Sequence, residues 1–307
     1  MNLRNLLLAV LAAAVFVFAA CGDDDESEPL PTPNPSAAFP VTIADDNGAH
    51  VTLDQEPERI VALAPSFVEV LFALDAGEAI VAADENTDYP PEAASIPKIS
   101  GFQPSVEGIT SYEPDLVLLT YDPGGLVDAL SSLEIDSLFL ASPASIDGAM
   151  EQIMTLGQAT GRSSEAEELV DGMKADIHSI AAAVPAEGAP RVYHEVDNTY
   201  YSAGPGSFIH DLYATLGATN IAEATGEAFP QLSAEAIIQA DPEVIILADE
   251  FAGESPETVA ARPGWDQISA VKNARVHIVD PNIVSRPGPR LVDALATLAL
   301  LLYPELF

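Results

Sequence analysis

The sequence is poor in cysteine and in basic side chains. Cys21 is the only cysteine among 307 residues, so no internal disulfide can stabilise the fold. Lysine and arginine number 11 against 48 aspartates and glutamates, which gives a formal net charge of -37 at pH 7. A body of this charge repels a phosphate backbone, and we therefore expect no nucleic-acid partner. Because the carboxylates are spread along the chain, the acidity indicates solubility or adaptation to high salt.

Catalytic and metal-binding signatures are missing as well. The chain contains no GxSxG, GxxxxGK, HExxH or CxxC sequence. Its five histidines lack the spacing of metal ligands: His50, His178, His194, His210 and His277. We therefore expect no enzymatic activity, no catalytic residue, no bound metal and no resident cofactor.

The first 38 residues have the composition of a leader followed by a tether. Arg4 precedes an apolar run over residues 6–18, which is short for a membrane span but typical of a signal peptide core. The sequence Phe-Ala-Ala before Cys21 resembles the lipobox of bacterial lipoproteins, with phenylalanine in place of the usual leucine. Residues 22–38 are acidic and proline-rich and offer almost nothing to bury. We predict a lipoprotein signal peptide over residues 1–20, a lipid on Cys21 and a flexible tether over residues 21–38.

Two parts of the remaining chain repeat each other. Ser66, Phe67, Leu71, Phe72 and Ala73 recur 141 residues later as Ser207, Phe208, Leu212, Tyr213 and Ala214. Residues 107–119 recur at 235–247, and each copy there reads as a short helix, a proline turn and a buried strand. Strands that alternate with helices predict a mostly parallel sheet covered on both faces. Before the first copy, Asn47-Gly48 lies between two strand-like stretches and predicts a short hairpin.

A long amphipathic helix is predicted between the two copies, from Ser164 to Val184. Ser164 and Glu167 have the spacing of a capping box, and Pro185 ends the run. Apolar residues recur at helical spacing: Ala166, Leu169, Val170, Met173, Ile177 and Ile180. The alternative is an ordinary surface helix within one domain. We predict an α/β fold with two lobes, each a mostly parallel sheet flanked by helices, joined by this single long helix. The domain boundaries are then 39–163, 164–184 and 185–307.

Aromatic side chains follow the predicted strands of both lobes. Ligands of such sheets bind at the carboxyl ends of strands, so the site should lie between the lobes. The aromatic residues placed there are Tyr89, Phe102, Tyr121, Tyr201 and Phe229. Each ring taken alone is better explained as a core residue, but together at strand ends on both lobes they suit a large, flat, weakly charged ligand. Trp265, the only tryptophan, is interpreted as a packing residue.

Several motifs in combination resemble one family of transport proteins. They are RIVALAPSFVEVLFAL, TDYPPEA, GPGSFIHDLYATLGATNI, FPQLSAEAII and SRPGPRLVDAL. The pattern is similar to the Fe/B12 periplasmic-binding family of ABC importers from about residue 39 to the end of the chain, and most similar to its vitamin B12-binding members. The resemblance implies that Phe102, Tyr121 and Phe229 take the places of ring-clasping tryptophans. It also implies ligand contacts in the loops of Tyr201 and Arg286.

The same resemblance implies a docking role for two glutamates. Glu107 and Glu235 hold the same place in the two copies of the repeated helix. In the B12-binding members the corresponding glutamates meet arginines of a two-fold permease. The alternative is that both are solvated charges favoured by the helix dipole.

Together these features predict an extracytoplasmic, lipid-anchored receptor that captures a corrinoid and delivers it to the permease of an ABC importer, which works with an ATPase. A ferric siderophore or haem is the alternative ligand, and haem would need an axial side chain such as that of Tyr121. An extracellular lyase or hydrolase on this scaffold is a further alternative. It is disfavoured because the cleft motifs contain no paired acid and base.

Overall fold

The computed structural model describes residues 39–185 and 188–306, all within one compact unit. The predicted signal peptide, the lipid site at Cys21 and the tether lie outside the described residues. The body begins with a hairpin of strands β1 (Val41–Ala44) and β2 (His50–Leu53), which pair antiparallel as predicted. Asp45 holds the turn, because its carboxylate accepts hydrogen bonds from the backbone of Asn47 and Ala49.

The first lobe contains a five-stranded sheet. Its strands are β3 (Ile60–Ala62), β4 (Ile80–Asp84), β5 (Lys98–Ile99), β6 (Leu116–Leu119) and β7 (Asp136–Phe139). The helices of this part of the chain are α1 (Pro65–Ala73), α2 (Val106–Thr110), α3 (Leu126–Ser131) and α4 (Ile146–Ala159), with 3-10 turns at Gly77–Ala79 and Pro91–Ser95. Helix α5 (Ser163–Ala183) then leads to the second lobe.

The second lobe contains a four-stranded sheet. Its strands are β8 (Arg191–Glu195), β9 (Thr219–Asn220), β10 (Val244–Leu247) and β11 (Val276–Ile278). Its helices are α6 (Phe208–Thr215), α7 (Ala234–Ala240), α8 (Pro256–Ala260), α9 (Ser269–Lys272), α10 (Pro281–Val284) and α11 (Leu291–Leu302). The 3-10 turns are Glu223–Thr225, Glu250–Ala252 and Trp265–Gln267.

The two sheets have matching topology, which confirms the internal repeat. The strand orders are β5-β4-β3-β6-β7 and β11-β10-β8-β9, and the paired strands within both sheets are parallel. In each lobe the second strand of the sheet along the chain lies on one side of the first strand, and a later strand lies on its other side: β4 and β6 flank β3, and β9 and β10 flank β8. The order therefore reverses between β3 and β6 in the first lobe and between β8 and β10 in the second. Such reversal points open a crevice at the carboxyl ends of the strands.

One hydrophobic core runs beneath both sheets. Successive residues of a strand point to opposite faces, and in β3 both faces are buried. Ile60 and Ala62 face a core cluster that also contains Val170 of α5, Val192 of β8 and Leu295 of α11. The opposite faces of the two sheets have separate clusters, covered by α2 and α3 in the first lobe and by α7 and α8 in the second. The lobes are thus joined through shared packing as well as through the chain.

The long helix is confirmed, but its predicted cap is wrong. Helix α5 begins at Ser163 with Arg162 as its N-cap, and no side chain caps it, so Ser164 lies inside the first turn. A tight link from α4 sets this start: Gly161 adopts a φ of +67°, and the Arg162 backbone N–H donates to the Gly157 carbonyl at 2.7 Å. The predicted apolar stripe is buried or packs against the core. Within the described residues, no helix has both the length and the apolarity that a membrane crossing requires.

Candidate functional site

A buried ionic cluster joins the carboxyl ends of the two sheets. Arg286 follows β11 in the second lobe, and its Nη1 donates to Glu69 Oε1 of α1 at 3.1 Å and to Asp88 Oδ1 beyond β4 at 2.6 Å. Its Nη2 donates to the Asn86 carbonyl oxygen at 2.9 Å and to Asn282 Oδ1 at 2.6 Å. Segments that follow strands in one lobe therefore touch segments that follow strands in the other. We call the space between these carboxyl ends the cleft.

Arg290 completes this cluster and orients one of the predicted rings. Its Nε donates to Glu69 Oε2 at 2.9 Å and its Nη2 donates to Glu69 Oε1 at 2.6 Å, and this pairing holds the pKa of Arg290 above its ordinary value. The guanidinium carbon lies 4.3 Å from the centroid of the Tyr89 ring, a cation–π contact. Tyr89 lines a cavity of about 460 Å³ together with Phe72 and Arg290. Tyr89 is thus exposed but fixed.

The structure brings Phe102 and Tyr121 together on the first lobe. Their ring centroids are 5.7 Å apart and their planes differ by 12°, which is a stacked pair. Gly101 positions Phe102, because its N–H donates to buried Asp84 at 2.9 Å. A Cβ at position 101 would lie 2.4 Å from both Asp84 Oδ2 and the Leu63 carbonyl oxygen, so only glycine fits there. The stacked pair therefore rests on a rigid base above β3 and β4.

Tyr201 and Phe229 lie on two paired segments of the second lobe. Tyr201 forms an antiparallel bridge with Gln231, and the Ser202 N–H donates to the Pro230 carbonyl oxygen at 2.9 Å. The Gly204 N–H donates to the Ala228 carbonyl oxygen at 2.8 Å, which extends the pairing. Both rings remain substantially exposed. The pairing places them near each other beyond β8, in agreement with the prediction that the second lobe also presents aromatic side chains.

Arg262 connects β8 to the segment that follows β10, and the sequence interpretation missed it. It donates to both carboxylate oxygens of fully buried Glu195, at 2.6 and 2.5 Å, and to Glu254 Oε2 at 2.8 Å. Its guanidinium also lies over the rings of Tyr200, at 5.2 Å, and Trp265, at 4.6 Å. Trp265 is fully buried, which confirms its packing role. The sequence interpretation gave a role to Trp265, three residues later, and none to Arg262.

Beside this arginine, Asp249 is a buried acid without a partner. Neither of its carboxylate oxygens has a hydrogen-bond partner among the described residues. Burial, together with the neighbouring Glu195 carboxylate, raises the pKa of Asp249 to about 7, although Arg262 opposes the shift. On β8, His194 is fully buried with its Nδ1 2.7 Å from the Tyr213 hydroxyl, and burial lowers its pKa to about 4. Both groups are therefore held in their neutral forms near pH 6.

The remaining predicted residues are placed as follows. Glu107 and Glu235 are both exposed in the first turn of their helices, α2 and α7, so the repeat does give them equivalent local positions. Ser105 and Ser233 cap these helices through hydrogen bonds of 3.0 and 3.1 Å. Arg286 is only 8% exposed and its terminal nitrogens face protein acceptors, so the structure gives it a bracing role. A direct ligand contact of Arg286 stays a prediction.

A body of two parallel α/β sheets that meet at their carboxyl ends, joined by a long helix, has the architecture of a substrate-binding protein. Residues 60–283 match the model of the periplasmic binding protein family, and the chain belongs to that family. It is 34% identical over 279 residues to YvrC of Bacillus subtilis, an uncharacterized ABC transporter substrate-binding lipoprotein. That match covers 88% of this chain and 87% of the relative.

Two further matches agree with this assignment. A cobalamin-binding protein of Halobacterium salinarum is 34% identical over 275 residues, which cover 86% of this chain and 74% of that protein. The solved structure of a possible iron-binding (periplasmic solute-binding) protein of Staphylococcus epidermidis superposes with a TM-score of 0.72 at 30% identity, covering 81% of this chain and all of the other. The protein is therefore an extracytoplasmic substrate-binding protein of an ABC transporter, where it works with a permease and an ATPase, and is not an enzyme.

Proposed function

We propose that this protein binds a corrinoid in the cleft and delivers it to the permease of an ABC importer. The observation that carries the proposal is the presence of exposed aromatic rings at strand carboxyl ends in both lobes. Exposed apolar side chains that lie together indicate a binding surface, because covering them removes apolar area from water. The cobalamin-binding relative of Halobacterium salinarum supports a corrinoid as the ligand.

The geometry of the rings suits a large planar ligand. Phe102 and Tyr121 already stack in near-parallel planes, so an exposed outer face of this pair can accept a further flat ring. Tyr201 and Phe229 supply rings from the opposite lobe. Because Tyr89 packs against Arg290 and Phe102 stacks on Tyr121, less conformational entropy is lost when the ligand orders these side chains.

Calorimetric titration of the purified protein with cyanocobalamin tests this proposal. We expect one molecule bound per chain. Burying one aromatic side chain is worth roughly 1.5 to 3 kcal/mol, so Phe229→Ala should weaken binding by on the order of ten- to a hundredfold. Leu300→Ala is the matched control, because Leu300 on α11 is 48% exposed against 47% for Phe229 and lies away from the strand carboxyl ends. Equal losses of affinity for the two variants would contradict the placement of the ligand against Phe229.

An iron complex is the second candidate ligand. The Staphylococcus epidermidis neighbour, a possible iron-binding protein, favours it, and half-exposed Tyr121 offers a phenol oxygen that could approach an iron centre. The strongly negative body disfavours an anionic catecholate complex. If titration with cyanocobalamin gives no heat and a ferric hydroxamate or haemin binds tightly, the ligand is an iron complex and not a corrinoid.

Two further parts of the proposal concern location and delivery. We infer that a lipid on Cys21 tethers the protein to the membrane, and the Bacillus subtilis relative, named a lipoprotein, supports this. Glu107 and Glu235 dock the two lobes onto a two-fold permease. Their equivalent, exposed positions in α2 and α7 support this role.

A further inference from the structure

An aromatic side chain outside the predicted set stands at the carboxyl end of the second sheet. Phe251 is 77% exposed, above the 69% of Phe102 and the values of the other large hydrophobic side chains described as exposed. It lies four residues beyond the end of β10, the strand whose pairing with β8 marks the reversal point of this sheet. Its position is therefore beside the crevice where a ligand of this fold binds.

The internal repeat gives this position a counterpart on the first lobe. Strands β6 and β10 correspond, and the segment after β6 carries Tyr121, one ring of the stacked pair. The segment after β10 has Asp249 in the place that corresponds to Tyr121. Asp249 points inward and is fully buried, so it cannot offer a ring. Phe251, two residues later, restores an exposed aromatic group to the corresponding edge of the second lobe.

The segment that carries Phe251 is held in place by its ends. The Ala248 N–H donates to the Glu195 carbonyl oxygen at 3.0 Å, which extends the pairing of β10 with β8. The Ala252 N–H donates to the Asp249 carbonyl oxygen at 2.8 Å, and the single 3-10 turn ends at Gly253, where φ is +80°. Phe251 sits in the middle of this turn. Its exposed ring is thus presented on ordered backbone.

We propose that Phe251 is a ligand-contacting, specificity-determining residue, which buries its ring against the apolar face of the ligand from the second lobe. This inference rests on the proposed function, since it takes a flat apolar ligand in the cleft as given. The ring makes almost no contact within the protein, so its removal should leave folding unchanged and act on binding alone. A protein contact, by contrast, would require a partner that recognises one exposed ring on an otherwise acidic turn.

Affinity measurements on Phe251 variants test the proposal. Cyanocobalamin, haemin and a ferric hydroxamate are titrated into the wild type, and whichever binds is titrated into the variants. We expect Phe251→Ala to weaken binding about tenfold and Phe251→Leu to weaken it less, because the apolar area lost is smaller. Leu133→Ala is the control: Leu133 is 52% exposed but precedes β7, at the amino-terminal edge of the first sheet. It should bind as the wild type does.

A labelling experiment separates contact from an indirect effect. In a Cys21→Ser background, Phe251→Cys provides the chain's only thiol, and its reaction with a maleimide should slow at least tenfold when the ligand is saturating. Leu133→Cys should react at the same rate with and without ligand. Unchanged affinity of Phe251→Ala, or no protection of the Phe251→Cys thiol, overturns the inference while the proposed function stands. If the wild type binds haemin and not cyanocobalamin, and Phe251→Ala weakens that binding, the corrinoid assignment is wrong but the role of Phe251 stands. A wild type that binds none of the three probes overturns both.

Discussion

Arg286 and Glu69 connect the two lobes through a buried ion pair, with Arg286 Nη1 3.1 Å from Glu69 Oε1. The two residues are separated by most of the chain, and a second arginine, Arg290, shares the same carboxylate. Glu69 is almost fully buried, and its carboxylate is shared by the two guanidinium groups at the edge of the cleft. This relationship links the stability of the fold to the shape of the site.

The first prediction follows from that shared carboxylate. Glu69→Gln should lower the free energy of unfolding by about 3 kcal/mol, because it removes the carboxylate that pairs with Arg290 and leaves Arg286 with Asp88 as its remaining charge partner. Urea unfolding measures the change, and affinity for the ligand should fall as the Tyr89 ring loses its support. Glu107→Gln, at an exposed helix start, is the control and should unfold like the wild type. A Glu69→Gln variant with wild-type stability would show that Asp88 alone holds Arg286.

The second prediction concerns pH and rests on two groups with opposite effects. For His194 the folded pKa is about 4 against an ordinary 6.5, so below pH 6.5 the unfolded chain binds a proton that the folded chain does not. The free energy of unfolding therefore falls by about 3 kcal/mol from this group as the pH drops from 6.5 to 4. For Asp249 the folded pKa is about 7 against an ordinary 3.8, so the folded chain holds the extra proton and stability rises over the same drop.

Replacing each group separates these contributions. His194→Gln should flatten the acid loss, and Asp249→Asn should steepen it and make the protein more stable than the wild type at pH 8, where the buried carboxylates repel each other. Urea unfolding between pH 4.5 and 8 gives the slopes. Parallel curves of unfolding free energy against pH for the three proteins would show that folding does not shift the pKa of either group.

The third prediction is that Cys21→Ala releases the protein from the membrane. Lipid anchoring by two or more acyl chains gains about 0.8 kcal/mol per buried methylene, whereas an acidic tether has no attraction for an anionic surface. Fractionation of cells into membrane and soluble parts measures the effect. A Cys21→Ala variant that stays with the membranes would refute the anchor.

The fourth prediction separates docking from ligand binding. Glu107→Lys combined with Glu235→Lys should abolish uptake while leaving affinity for the ligand in solution unchanged. Complex formation between the wild type and the permease should weaken with added salt, because exposed charge contacts are screened. Asp128→Lys combined with Glu257→Lys, at other helix first turns, controls for the change in net charge. Intact transport by the Glu107/Glu235 variant would contradict docking and would leave the two glutamates as solvated charges that only stabilise the first turns of their helices.

Much of the fold could be predicted because the same pattern of strands and helices occurs twice in the sequence. Buried strands of branched residues, such as Val244–Leu247, and helix starts such as Ser207-Phe208 recur in both lobes, and repetition turns weak local signals into a strong one. The start of α5 could not be predicted in this way. The close contact of Gly157 with Ala166, where an added Cβ would come within 2.5 Å, sets that start through tertiary packing and overrides the local cap at Ser164.

The site could be predicted in part, for the same kind of reason. Phe102, Tyr121 and Phe229 stand next to recognisable motifs, and the structure leaves each of them exposed. Arg286 also stands in a motif, but three of its acceptors, in Glu69, Asn86 and Asp88, lie about 200 residues away in the sequence, so its burial could not be predicted. Phe251 lies in an acidic segment after β10 and Arg262 follows α8, and neither residue was assigned a role from the sequence. The folded structure shows that Arg262 contacts Glu195 and that Phe251 lies at the carboxyl end of β10.

The core that runs beneath both sheets bears on how the molecule unfolds. Val170 of α5 and Leu295 of α11 belong to one cluster with strands of both sheets, so separating the lobes would expose apolar surface to water. Neither lobe has this core to itself. We therefore expect the two lobes to lose their structure together, in one cooperative unfolding step.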